Sequence, residues 1–399
     1  MEKIPVVACY IIILFLVSCS VNNPDKKEYA TINIDNSKVK PEQDISAHIN
    51  SINVLPLIET TGNHLGGIYK LLITPKNYIV YDRLTTNKLL LFSREGKFIK
   101  TIIKVGDGPS DPLNITDCWL NEHKELQIYD YAQMKIFTFD SLFELKGTKA
   151  SRIFTHFAGL TSVAGSSHYV GYGNYSDFNP PFQTQLYHIA FLDSNLKVIW
   201  TDKTFEKELQ GITWPMYKRH FYNYEDTVRF VKAYDNYVYN IVKNNVVKRY
   251  RILYKNNNLP DDITGIIKTH LDVFKDRSID PNLKADYFKM FTRFNGFWLE
   301  NDKYIFMSSR DTIGKFGESF YSLINRANNE ELFSTKKMIE TVNYKLTLPP
   351  FEFYDKDNNE FISVVDGYTL KKSLFPESPL QTIILADLNV YYIIKVKLK

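Results

Sequence analysis

The chain has 399 residues, more than one small core needs, and 44% are hydrophobic against 24% charged, which excludes a mainly disordered protein. Its 49 Lys and Arg and 45 Asp and Glu are interspersed and leave a net charge of +4, so there is no basic segment for nucleic acid. Phe, Tyr and Trp make up 15% of the chain, Gly numbers only 17 and Asn 32, a mixture that suits short strands joined by Asn-rich turns.

The N-terminus addresses the chain. Met1-Glu2-Lys3 precedes an apolar run from Ile4 to Val17, too short to span a bilayer, which takes about 20 residues, but the right length for a signal-peptide core. It ends in Leu16-Val17-Ser18-Cys19, which resembles the lipobox of bacterial lipoproteins. That match implies removal of residues 1–18 and acylation of Cys19, with several acyl chains giving stable anchoring. Cys9 leaves with the signal peptide, so Cys118 is the one remaining thiol and no intramolecular disulfide can form. Its apolar neighbours mark it as a buried structural thiol. Residues 19–46 read as lipidated Cys and polar tether, and 47–399 as one domain.

From residue 47 one pattern repeats. Leu71-Leu72-Ile73, Tyr78-Ile79-Val80-Tyr81-Asp82, Leu89-Leu90-Leu91-Phe92 and Phe98–Ile102 are four short strands separated by polar turns. Cys118-Trp119-Leu120, Leu126-Gln127-Ile128-Tyr129-Asp130, Lys135–Asp140 and Phe143-Glu144-Leu145 repeat them. Four strands in roughly 40–50 residues is a β-propeller blade. Later units carry insertions, among them a Gly, Asn, Pro and aromatic stretch over 173–186. Six units can be recognised, so the expectation is an all-β, six-bladed β-propeller, with seven blades as runner-up. One insertion is helical: Ile263, Ile266, Ile267, His270, Leu271 and Phe274 share one face over 261–275, behind an Asp cap, between the fourth and fifth blades. A propeller must close its ring, and Ile52–Glu59 has no partner nearby, so it is expected to pair with the C-terminal strands.

Three stretches carry a family resemblance: Val54–Thr60, Leu91–Phe98 leading into Gly106-Asp107-Gly108-Pro109-Ser110-Asp111-Pro112, and the ending Asp387–Lys399. They are similar to the six-bladed β-propeller lipoproteins of Gram-negative gut commensals, a group related to NHL-repeat propellers. Where that group runs Gly-x-Gly-Pro-Gly-Glu-Tyr, this chain has Ser110-Asp111-Pro112. The resemblance implies the fold and an envelope location, with the outer membrane the expected one, and assigns no activity.

Catalytic motifs do not accompany the fold. Gly106-x-Gly108-Pro109 lacks the Lys and helix of a phosphate loop, and neither zinc spacing nor a nucleophile elbow occurs. No cofactor and no metal is expected. The candidate ligand-binding residues are loop aromatics and the polar groups near them: Tyr172, Tyr175, Asp177, Phe178 and Phe182, then Trp214, His220, Arg229, Trp298 and Arg310. Rings stack on the apolar faces of sugars and peptides while polar groups bond their edges. The expected function is a monomeric, lipid-anchored binding module for a glycan, peptide or envelope protein, without catalysis. The alternative is a polysaccharide hydrolase or lyase at the mouth of the central channel.

Overall fold

Tyr78, Ile79, Val80 and Tyr81 are all buried, which explains a run without polar alternation. They belong to the strand Asn77–Asp82, second in its blade and covered on both faces by neighbouring blades. The outermost strand of the next blade, Leu145–Ala150, is exposed throughout and accordingly reads Leu-Lys-Gly-Thr-Lys-Ala. In this computed structural model six such sheets make the six-bladed β-propeller. The structure describes residues 29–399 apart from 60–64, 84, 107, 109–110, 151–156, 176–185, 213–218, 277, 280–283, 312–317 and 383–387.

The innermost strands of blades one to six are Ile68–Ile73, Ile115–Leu120, Gly159–Ser162, Phe221–Tyr224, Arg293–Glu300 and Phe353–Asp355. The ring closes as expected. Ile49–Leu57 is the outer strand of blade six, antiparallel to Tyr391–Leu398, with Tyr391 opposite Leu57 and Val396 opposite Ile52. Two further N-terminal strands extend the ring. Ala30–Ile34 lies parallel to the outer strand of blade four, and Lys40–Asp44 parallel to that of blade five. The sequence reading places this stretch in a polar tether. Only Ile32 and Ile34 betray the first strand; both are buried between blades four and five, while the second is polar and covers an edge.

The aromatic excess fills the wedges between blades. Six apolar clusters each join two neighbouring sheets, and a seventh lies under the helical insertion. Fully burying such a ring stabilises by roughly 1.5–3 kcal/mol relative to leaving it exposed. Asn supplies turns where Gly is scarce: Asn87, Asn257, Asn329 and Asn359 all sit at positive φ.

The Tyr-Asp repeat is a latch. Asp130 is fully buried and accepts bonds from the backbone N–H of Leu113, Asn114, Ala132 and Gln133, tying the crossing from blade one to a turn within blade two. Asp82 does the same in blade one, with Gly66, Thr85 and Thr86 as its donors. Cys118 is buried, which pushes its thiol up to about 12. The insertion between blades four and five is helical, but it breaks into Thr264–Thr269 and Leu271–Lys275 at His270, whose φ of −131° and ψ of 35° leave the helical region. Asp262 accepts the Thr264 N–H at 2.8 Å, while Ile263, Ile267 and Phe274 bury the expected face.

Candidate functional site

The six innermost strands enclose a cavity of about 830 Å³ along the ring axis. It takes in turns that join an innermost strand to the second strand of its blade, at 121–124, 225–226, 301–302 and 356–357, so it reaches the face of the ring on which these turns lie. There the acids Glu122, Glu225, Asp226, Asp302 and Asp357 outnumber Lys124 and Lys356. Deeper in, the wall is built from ion pairs.

The largest of these centres on Glu300, at the end of the inner strand of blade five. Arg229 donates from Nε and Nη2 to its two carboxylate oxygens, at 2.8 and 3.0 Å. Tyr250 Oη donates at 3.0 Å and Trp298 Nε1 at 3.2 Å, and Arg326 Nε lies 3.0 Å away. Burial alone would raise the Glu300 pKa, but the hydrogen bonds and charge of Arg229, with Trp298 and Tyr250, outweigh it and hold the carboxyl below its ordinary range. The Tyr224 ring sits close to both guanidinium groups, 5.0 Å from that of Arg229 and 4.5 Å from that of Arg326. Tyr224 Oη donates to Asp302 at 3.1 Å and accepts from Arg326 at 2.5 Å.

The other deep carboxylates are held as well. Asp117 Oδ1 takes the Lys70 ammonium at 2.5 Å and the Cys118 N–H at 2.8 Å, while its Oδ2 takes the Leu160 N–H at 3.2 Å. Asp355 is held by Arg94 and by the Asn358 amide. Arg219 differs. It precedes the inner strand of blade four, yet its guanidinium lies 3.9 Å from the centre of the Phe353 ring in blade six, and its Nη1 donates to the Glu352 carbonyl at 2.9 Å. Its Nε and Nη2 are buried with no acceptor among the described residues. Burial lowers its pKa. Among the described residues no three His, Cys, Asp or Glu are grouped to hold a metal ion.

The sequence candidates divide between this cavity and the inter-blade cores. Arg229 and Trp298 border the cavity, although Trp298 is fully buried and offers only its N–H, to Glu300. Tyr172 and His220 are buried together with ring centres 4.4 Å apart, and His220 Nδ1 lies 3.1 Å from the Val231 carbonyl. Burial brings His220 down to about 4. Tyr175 is buried edge-on to His188 at 4.5 Å and packs against Phe205 at 5.1 Å. His188 is lowered well below its ordinary value, first by burial and then by the charge of Lys232. Arg310 is half-buried in blade five, paired with Arg293 and Ser319 in register, and does not border the cavity. Asp177, Phe178, Phe182, Trp214 and Cys19 lie outside the described residues.

Sequence reasoning missed Lys70, Asp117, Arg219, Tyr224, Glu300 and Asp355. They come from five of the six blades, so no spacing along the chain links them. Of the sequence candidates, Trp214 and His220 flank one of them, Arg219, along the chain.

The chain belongs to the family described as domain of unknown function (DUF4934), whose model matches residues 29–388. No curated protein matches it. Among solved structures it is similar to a Bacteroides fragilis protein described as a candidate exported protein, with 11% identity and a TM-score of 0.69 over 92% of this chain and all of that one. A member of the DUF4221 family from Bacteroides vulgatus matches at 9% identity and a TM-score of 0.49, over 88% of this chain and 97% of that one. At these identities the likeness shows the fold alone.

Proposed function

We propose that this DUF4934 protein is a non-catalytic binding propeller of the cell envelope, anchored through lipid on Cys19, which takes a short segment of glycan, peptide or envelope protein into its axial cavity. The observation that carries this reading is the cavity itself. Its 830 Å³ lies within the usual range for a ligand site, and it reaches one face of the ring. The state of the carboxylates buried in its wall supports binding over hydrolysis and leaves only the rim acids Glu122, Glu225, Asp226, Asp302 and Asp357 to the alternative. Asp117, Glu300 and Asp355 are each committed to cations and N–H donors, whereas glycosidic cleavage needs a free acid and base on either side of the bond. Export suits both the N-terminal sequence and the description of the Bacteroides fragilis protein of like fold.

Glycan and peptide arrays probed with the chain from residue 20 onward test the reading. Asn223 is exposed on the inner strand of blade four and borders the cavity, so Asn223→Trp should abolish capture of any hit by obstructing entry. Capture that survives this substitution would move the site elsewhere, and release of shortened product from a hit would replace binding by a hydrolase or lyase. Metabolic labelling with an alkyne fatty acid should mark the full chain and fail on Cys19→Ala; persistent labelling would refute the anchor.

A further inference from the structure

We infer that Arg219 is the anion-binding end of the axial cavity, and that the ligand it takes is a glycan terminating in a single carboxylated sugar. This rests on the binding role proposed above and adds the chemistry of the ligand.

Arg219 belongs to no single blade. It leaves the chain just before the inner strand of blade four, stacks on Phe353 of blade six and bonds the Glu352 carbonyl. It shares the cavity wall with Asp117 of blade two, so it reaches across the ring axis from blade four to blade six. It stands at the end where the inner strands begin, away from the turns that form the open face. Nη1 is used, while Nε and Nη2 are buried and have no acceptor among the described residues. Those two nitrogens form one edge of the guanidinium, the side that receives a carboxylate through two parallel hydrogen bonds.

Asp117, across the axis in blade two, does not fill that edge. Both oxygens of Asp117 are taken by Lys70, the Cys118 N–H and the Leu160 N–H. A buried charged donor without a partner is a costly arrangement, and at Arg219 it affects two adjacent nitrogens of a residue that borders the cavity. The contrast with Arg229 is direct, because there every charged nitrogen has an acceptor.

Charge along the wall limits what else the ligand can carry. The inner end holds Arg219, with two nitrogens that meet no acceptor among the described residues, while the open end is acidic through Glu122, Glu225, Asp226, Asp302 and Asp357. A polyanion would meet repulsion at the rim; a chain with one acid at its tip and neutral sugars behind it would not. The wall between the ends suits sugars, with hydroxyls and an amide from Thr161, Ser162, Asn223 and Thr227 beside the half-buried rings of Phe221 and Tyr354.

Calorimetry on the chain from residue 20 onward provides the test, with three probes: a trisaccharide ending in glucuronic acid, its counterpart ending in glucose, and trigalacturonate. The glucuronic-acid ligand should bind at least about tenfold more tightly than the other two. Arg219→Lys, which keeps the charge but not the fork, and Arg219→Leu should both erase that preference. Lys149→Ala, on the exposed outer strand of blade two and away from the cavity, should leave it in place. Arg219→Leu should also melt at or above the wild-type temperature, because it removes an unpaired buried charge. Marked destabilisation would make Arg219 a structural residue and overturn the inference, as would equal binding of acidic and neutral trisaccharides or no binding of the acidic one. Tighter capture of a peptide with a free C-terminus than of the sugar would overturn the ligand class. If array hits are blocked by Asn223→Trp yet are indifferent to Arg219→Leu, the cavity reading stands and this inference alone falls.

Discussion

Arg219 and Arg229 lie ten residues apart, one just before a hairpin and the other in its second strand opposite Tyr222, and both border the same cavity. Arg229 bonds both oxygens of Glu300 and the Asn240 amide, inside a network completed by Tyr250, Trp298 and Arg326. Among the described residues Arg219 has one carbonyl, one ring and two nitrogens without an acceptor. A buried cation that meets all its partners is part of the scaffold. Arg219 is the one to which we assign a ligand, and sequence alone cannot tell the two apart.

The contrast breaks first at Glu300. Glu300→Ala strands Arg229 and Arg326 without their shared carboxylate, and should cost about 3–5 kcal/mol in denaturant unfolding. A loss below about 1 kcal/mol would mean the cluster is solvated rather than structural. Acid titration separates the regions next. Buried His220 stays neutral down to about 4, whereas the unfolded chain takes up the proton below 6.5. Its contribution is therefore intact above pH 6.5 and is lost as pH falls towards 4, by on the order of 3 kcal/mol. Unfolding midpoints across that window should flatten in His220→Gln; an unchanged slope would assign the effect to other groups. Glu300, whose pKa is lowered, acts later: its contribution is full above 4.5 and is lost as pH drops below that value.

Asp130→Ala removes the acceptor for four backbone N–H groups and should destabilise by roughly 2–3 kcal/mol without altering ligand capture. Loss of capture with unchanged stability would show that this Asp serves the site. The smallest effect belongs to Arg219→Leu, expected within about 0.5 kcal/mol of the parent or above it. That is the sharpest measure of the difference between the two arginines.

Much of the ring was legible because blade strands are local. Tyr78–Asp82 and Leu126–Asp130 announce themselves by apolar runs bounded by turns, and the helix face at Ile263, Ile267 and Phe274 by its spacing. The segments that escaped have weak patterns. Phe353–Asp355 is three residues long, and Lys40–Asp44 is polar because it covers an edge instead of filling a core. The aromatic loops were half legible. Tyr172, Tyr175 and His220 are real clusters of rings, but they lie buried between blades and beneath the helical insertion.

By itself the sequence determined the blade repeat, the ring closure between Ile52–Glu59 and the C-terminus, and the burial of Cys118. Each depends on neighbours in the chain or on the need to pair an edge. The axial cavity was decided only by the tertiary structure. Each innermost strand contributes three or four residues to the lining of the axis, and charge pairing joins Lys70 to Asp117, Arg94 to Asp355 and Arg229 to Glu300 across blades, between residues 47 to 261 apart in sequence. Whether a given arginine meets a carboxylate is settled by that convergence, and at Arg219 it was left open.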